Sequence, residues 1–286
     1  MTPAEPRLHD VTCAHPSGLH RLAYAEWGDP DNPRVLVCVH GLTRTGRDFD
    51  AFAQALSDTW RVVCPDMPGR GRSQWLAEPM LYGVPQYVAD CVTLVARTGA
   101  PEIDWVGTSM GGLIGMALAS LPGNPVRRLV VNDVGPELDL QGLARIGQYV
   151  GTDSTFASFE DGLSVVRRLA AGFGPHTDEQ WARLNRHYIV QREGRWTTHY
   201  DPAIAVPFRA AAGTPAPALW PMWDAIACPV LALRGEQSDL LSRDTLARMA
   251  ARGPRARTVE LPGVGHAPTL VAPEQIGPVR DFLLSA

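Results

Sequence analysis

Short apolar runs, rich in β-branched residues and bounded by turn formers, recur along this sequence, with stretches of helical spacing between them. Such a run without polar alternation fits a strand buried on both faces. Arg34-Val35-Leu36-Val37-Cys38-Val39 is the first, and residues 61–64, 103–106, 126–131, 229–235 and 258–261 follow. Weak alternation over 7–27 predicts a two-stranded hairpin, closed by the turn residues Gly28-Asp29-Pro30-Asp31-Asn32-Pro33. Helices are expected over 48–56, 84–97, 113–121, 243–251 and 273–284. In the second of them Val88, Val92 and Val95 fall on or near one face. Strands alternating with helices imply an α/β fold: a mostly parallel, doubly wound sheet with right-handed crossovers.

The alternation stops over residues 137–221. Helical segments are expected there at 138–150, 158–173 and 178–189, with no strong strand and an extended or irregular stretch over 192–200. Aromatic residues are dense, Tyr149, Trp181 and Trp196 among them. The expected division is therefore an α/β core of residues 1–136 and 222–286, interrupted by a helical cap insertion, 137–221, laid over the carboxyl edge of the sheet.

Composition narrows the function. At 286 residues the chain can bury one large core plus a modest insertion. A formal net charge of −4 gives no electrostatic footprint for nucleic acid. No basic run suggests a membrane surface, and no apolar run approaches the ~20 residues a span needs. The first ten residues hold Pro, Glu and Asp and no apolar stretch, so no secretory signal is expected. Cys13, Cys38, Cys64, Cys91 and Cys228 are odd in number and scattered, as buried reduced thiols of a cytoplasmic protein would be. No Cys-x-x-Cys or His/Cys spacing suggests a metal.

The chemistry concentrates at Val106-Gly107-Thr108-Ser109-Met110-Gly111-Gly112. Gly107 and Gly111 flank Ser109 in a G-x-S-x-G pattern at a strand-to-helix junction, which lifts the hydroxyl onto the apex of a tight turn. The Met110 amide then points from a helix N-terminus, where partial positive charge favours an oxyanion. A serine hydroxyl needs an adjacent base, usually histidine, and the base needs a carboxylate to orient it. Asp239 and His266 each stand just beyond a predicted strand; Asp133 and Glu236 are further carboxylates in such positions. In sheets of this kind ligands bind beyond the strands' carboxyl ends.

With His40-Gly41, the 66–73 loop, Arg234-Gly235-Glu236-Gln237-Ser238-Asp239 and Gly263-Val264-Gly265-His266 added, the chain resembles the α/β-hydrolase fold superfamily over nearly its full length. The likeness is to serine esterases and lactonases with a helical cap. The resemblance implies Ser109 as nucleophile, His266 as general base and then acid, and Asp239 as the orienting acid. Asp133 is the alternative acid, at the position some members use. The implied oxyanion hole is the backbone amides of Leu42 and Met110, and no metal or organic cofactor is implied. His40 takes a structural role before the oxyanion turn, and Asp66 is expected to bond its own loop. Arg70 and Arg72 read as solvated or loop-bracing. Arg44 reads as an ordinary exposed arginine, with contact to an anionic substrate as its alternative.

Serine at the elbow, rather than aspartate or cysteine, sets the chain apart from haloalkane dehalogenases, epoxide hydrolases and the dienelactone-hydrolase type. The expected activity is hydrolysis of a small carboxylic ester or lactone through an acyl-enzyme on Ser109. Short hydroxyalkanoate oligomers, enol-lactones and simple aryl esters all satisfy that description. Two other readings stay open: a C–C bond hydrolase of β-diketone-like substrates, and a non-catalytic ligand receptor on the same fold. Neither nucleic acid nor membrane is an expected partner, and the sequence leaves the oligomeric state open.

Overall fold

A computed structural model describes residues 5–152, 154–210 and 218–285. Residues 1–4 and 286, and residues 153 and 211–217 of the expected insertion, lie outside the described residues. The hairpin is formed by β1 (Arg7–His15) and β2 (Gly18–Trp27), longer than its weak alternation suggests. Then follow β3 (Val35–Val39), α1 (Asp50–Leu56), β4 (Arg61–Pro65), α2 (Val84–Thr98), β5 (Ile103–Thr108), α3 (Met110–Ala119) and β6 (Val126–Asn132). The intervening segment carries α4 (Leu140–Tyr149), β7 (Thr155–Phe156), α5 (Phe159–Leu169), α6 (Asp178–Asn185), β8 (Ile189–Arg192), β9 (Arg195–Thr198) and α7 (Ala205–Ala210). After α8 (Trp220–Asp224) the alternation resumes with β10 (Val230–Gly235), α9 (Arg243–Ala251), β11 (Arg257–Leu261) and α10 (Pro273–Leu284).

Eight strands form one sheet in the order β1-β2-β4-β3-β5-β6-β10-β11. The pairs β1–β2 and β2–β4 are antiparallel and the remaining pairs are parallel. The buried runs divide their residues between the two faces with the period of 2 that a strand imposes. In β3, Val35, Val37 and Val39 join the core beneath α2 and α3, while Leu36 and Cys38 join the core beneath α1 and α10. In β10, Val230 and Ala232 divide in the same way from Leu231 and Leu233. Burying such a Val or Leu side chain is worth about 1.5–3 kcal/mol each, so the central strands hold the sheet's position firmly. Helix α2 turns Tyr87, Cys91, Leu94 and Val95 inward, and Val92, expected on that face, is exposed. A valine there meets the spacing of the apolar stripe loosely; the 87-91-94-95 positions meet it better.

The 137–221 segment differs from the expectation in one respect. It holds a small antiparallel sheet, β7-β9-β8, as well as helices. The β8–β9 hairpin closes on Glu193-Gly194, both with positive φ (49° and 77°), as a two-residue hairpin turn of the primed kind requires. Helices α5 and α6 begin on side-chain caps: Ser158 accepts from Asp161 N, and Thr177 and Gln180 form a capping box. The segment is bonded to loops at the sheet's carboxyl edge. Asp201 N donates to Gly69 O at 2.7 Å, Gly71 N to His199 O at 3.0 Å and Gly265 N to Gly172 O at 2.6 Å. Among the described residues no helix is long and apolar enough to cross a membrane.

Candidate active site

Ser109 stands where β5 turns into α3, with φ 52° and ψ −114°, a conformation rare for a side-chain-bearing residue. The turn survives because its flanks have no Cβ. A Cβ on Gly107 would lie 2.1 Å from Gly111 O, and one on Gly111 would lie 2.0 Å from Val39 O. Strand β3, the turn and the first turn of α3 are therefore in backbone contact. Ser109 Oγ is 3.0 Å from His266 Nε2. His266, brought in by the loop after β11, directs Nδ1 to Asp133 Oδ2 at 2.8 Å.

The carboxylate on His266 is thus Asp133, not Asp239. Asp133 follows β6, which lies between β5 and β10, so its side chain is central to all three loops. It is fully buried, with φ 57°. Its Oδ1 accepts from Gly235 N at 2.8 Å, and its Oδ2 accepts a second bond from Ser238 Oγ at 2.7 Å. A buried carboxylate bonded to three partners is held in one orientation. Asp239 instead faces α4, where Arg145 Nε and Nη2 donate to it at 2.5 and 2.8 Å. The Arg145 guanidinium holds its carboxyl below the usual carboxylate range. The loop after β10 supplies Ser238 to the buried acid where sequence reasoning expects a carboxylate. Glu236, the third carboxylate considered, accepts from Gly263 N and braces the His266 loop.

The other expected positions divide. His40 is structural: its Nδ1 meets Gly41 O at 2.7 Å and its Nε2 accepts from Met67 N at 2.9 Å. Burial pushes its pKa down to about 3, so it stays neutral. Asp66 bonds its own loop through Arg72 N at 2.9 Å and ties it to the loop after β3 through Gly46 N at 2.8 Å; burial raises its pKa to about 6. Among the described residues the Leu42 and Met110 amides donate no hydrogen bond. Arg44, expected at the surface, is buried. It pairs with Asp48 at 2.7 Å, reaches Asn185 Oδ1 at 2.8 Å and lies over the Tyr188 ring. Arg70 is wholly buried as well, so the solvated alternative does not hold for it.

Above Ser109 opens a cleft of ≈ 960 Å³, its mouth included. The turn Leu42-Thr43-Arg44 and His266 form one side, and Ile146, Tyr149, Val166, Leu169, Phe173 and Tyr188 a largely apolar roof. Arg145 stands at its edge. Away from the cleft, Cys13, His20 and Asp90 bring ligand atoms within 4.8 Å of one another, all buried. Among the described residues they are the one grouping with the donors for a metal ion. Their positions in sequence hide this, because β1, β2 and α2 each supply one. His20 Nε2 lies 3.1 Å from Asp90 Oδ1.

Comparison with known proteins shows what the whole chain is similar to. A 3-hydroxybutyrate-oligomer hydrolase of Cupriavidus necator is 55% identical, covering 99% of both chains. An esterase of Mycobacterium tuberculosis is 29% identical, covering 84% of this chain and 78% of its own. The crystal structure of an alpha/beta hydrolase from Novosphingobium aromaticivorans superposes with a TM-score of 0.86 at 40% identity, covering 98% of this chain and 99% of that one. The profile of the alpha/beta hydrolase family matches residues 36–277, and this chain belongs to the alpha/beta hydrolase family.

Proposed function

We propose that this serine ester hydrolase cleaves short oligoesters of 3-hydroxy acids, with 3-hydroxybutyrate oligomers as the leading substrate. The carrying observation is the full-length likeness to the 3-hydroxybutyrate-oligomer hydrolase of Cupriavidus necator. The largely apolar cleft over Ser109, edged by Arg145, supports it, since such a substrate is a short aliphatic ester chain ending in a carboxylate. Residues 137–221 act as a cap that shapes the acyl and alcohol pockets. The free cysteines support a cytoplasmic location.

In the mechanism, Ser109 Oγ attacks the ester carbonyl carbon as its proton passes to His266 Nε2. The imidazolium so formed is stabilised by Asp133. The carbonyl oxygen becomes an oxyanion held by the amides of Leu42 and Met110; one such donor is typically worth about 3 kcal/mol. Collapse breaks the C–O bond to the alcohol, which leaves with the proton from His266. Water then adds to the acyl-enzyme carbonyl as His266 takes a proton from it. Collapse of this second intermediate frees the acid and returns the proton to Ser109 Oγ.

The test is hydrolysis of 3-hydroxybutyrate dimer and trimer, an aryl ester, an enol-lactone and a vinylogous diketone by wild type and Ser109→Ala. The expected result is highest kcat/KM on the oligomers and loss of activity in the variant. Preference for the lactone or the diketone overturns the substrate assignment. Failure of a fluorophosphonate to label Ser109 in folded protein overturns the mechanism.

A further inference from the structure

The loop after β4 places one arginine entirely inside the protein without a carboxylate partner. Arg70 is 0% exposed, and among the described residues no acidic group pairs with it. Its guanidinium is instead satisfied by neutral groups. Nε donates to Leu42 O at 2.8 Å, and Nη1 to Pro68 O at 2.6 Å and Tyr87 Oη at 2.7 Å. Nη2 meets Met110 Sδ at 3.6 Å, and the group lies over the Tyr87 and Tyr82 rings, at 5.1 and 5.7 Å from their centroids. Arg44, on the neighbouring turn, differs: its charge is matched by Asp48 through two hydrogen bonds.

Burying an unmatched cation costs several kcal/mol in desolvation. A neutral side chain would brace the loop without that cost, so the charge itself needs a reason. The two ends of the guanidinium touch Leu42, which lines the cleft with Ser109, and the side chain of Met110, which follows Ser109 in the chain; among the described residues neither amide donates a hydrogen bond. We propose that Arg70 is the positioning residue of the oxyanion hole, fixing Leu42 and Met110 from behind and setting a permanent positive charge at their back. The inference rests on the ester-hydrolysis reading above.

The chemistry is consistent with such a role. In the resting protein the charge has no anion to face. In the tetrahedral intermediate a full negative charge develops on the substrate oxygen, on the other side of the Leu42 and Met110 peptides. A preorganised cation in a low-dielectric setting then favours the intermediate over the neutral ester, which is the difference that accelerates a reaction. Leu42 is also held in place: its carbonyl is bonded to Arg70 while its N–H is left for the substrate. Tyr87, on α2, keeps the guanidinium from turning away.

The experiment compares wild type with Arg70→Met, Arg70→Lys and Tyr87→Phe, each checked for folding by thermal melting. Wild type is first shown to hydrolyse p-nitrophenyl butyrate and to be inhibited by an alkyl trifluoromethyl ketone. Ser109 Oγ adds to that ketone's carbonyl carbon as the Ser109 proton passes to His266 Nε2, and the former carbonyl oxygen becomes an oxyanion. Failure here defeats the functional reading and takes this proposal with it; failure in the variants alone defeats only the proposal. Arg70→Met is expected to lower kcat by about 100-fold with KM within about threefold. Its inhibition by the trifluoromethyl ketone weakens in proportion, while binding of the matching methyl ketone, which stays neutral, is unchanged. Arg70→Lys recovers about tenfold of the loss, and Tyr87→Phe shows a smaller loss in the same sense. If Arg70→Met does not fold, the other two variants decide. A folded variant set with kcat near that of wild type overturns the proposal, as does equal weakening of the charged and the neutral ketone adducts.

Discussion

Asp133 and Asp239 show what a side chain's setting decides once the chain has placed both near a catalytic histidine. Asp133 is buried with three donors and holds His266 Nδ1; Asp239 is about a third exposed and bonded to Arg145. Asp133→Asn is therefore expected to lower kcat by about 10³–10⁴-fold, the scale seen when a triad carboxylate becomes an amide. Asp239→Asn should leave kcat within a few-fold of wild type, and steady-state kinetics on one aryl ester ranks the two. The opposite ranking overturns the assignment of Asp133. A second prediction concerns His40, whose pKa burial lowers from about 6.5 to about 3. Between those values the unfolded chain binds a proton that the native protein does not. Its contribution is complete above pH 6.5 and is lost as pH falls toward 3, with a slope of at most about 1.4 kcal/mol per pH unit. Urea unfolding at pH 7.5, 5.5 and 4.5 should show the stability gap between wild type and His40→Gln closing as pH falls. A gap that stays constant refutes this. The meeting of Ser109 with His266 was legible in sequence because their neighbours announce them: glycines around Ser109, and Gly265 beside His266 at a strand's end. The acid was not, because Asp133 and Asp239 follow adjacent parallel strands, and spacing along the chain does not say which loop reaches the base.

At the scale of elements, the strand–turn–helix from β5 to α3 depends on contacts between backbones rather than between side chains. A methyl group at Gly111 would meet Val39 O at 2.0 Å and Val39 C at 2.6 Å, and a β3 backbone buried in the sheet cannot swing aside as a side chain would. Gly111→Ala must part α3 from β3, at a cost at or above the about 1–3 kcal/mol typical of overpacking. A melting temperature lowered by about 5 °C or more follows for a chain of this size, together with loss of esterase activity. Calorimetry showing an unchanged melting temperature would mean that the two elements are not in the contact described. The core elements were legible because their runs are apolar almost throughout, as β3 and β10 are, with residues shared between two buried faces. The small sheet within 137–221 was less so. β7 has two residues and β8 and β9 four each, too short for alternation to stand out. Their turn is Glu-Gly, where the more telling hairpin signal is Asn-Gly or Asp-Gly.

For the molecule as a whole, the question is how residues 137–221 and the rest of the chain could together choose a substrate, and the Arg145–Asp239 pair is one place where the two are bonded beside the cleft. Arg145 belongs to α4 and Asp239 to the loop after β10. With both side chains about a third exposed, their pairing contributes little to global stability, about 0–1 kcal/mol. Its consequence is local: a guanidinium stands at the edge of a largely apolar cleft, shared between a protein carboxylate and whatever enters. A free 3-hydroxybutyrate dimer brings a carboxylate of its own, which an arginine can take in two parallel hydrogen bonds. Its methyl ester is the same molecule without that charge. Asp239→Asn removes the competing anion, so it should lower KM for the free dimer. Arg145→Met should raise it by about tenfold or less, the range of one exposed charged contact. Neither change should move KM for the methyl ester by more than about twofold. If the pair served only to fasten α4 to the core, both variants would shift the two substrates alike and in the same direction. The sign of the Asp239→Asn effect on the free acid separates recognition from fastening, because loosening a clamp cannot tighten binding of the charged substrate alone.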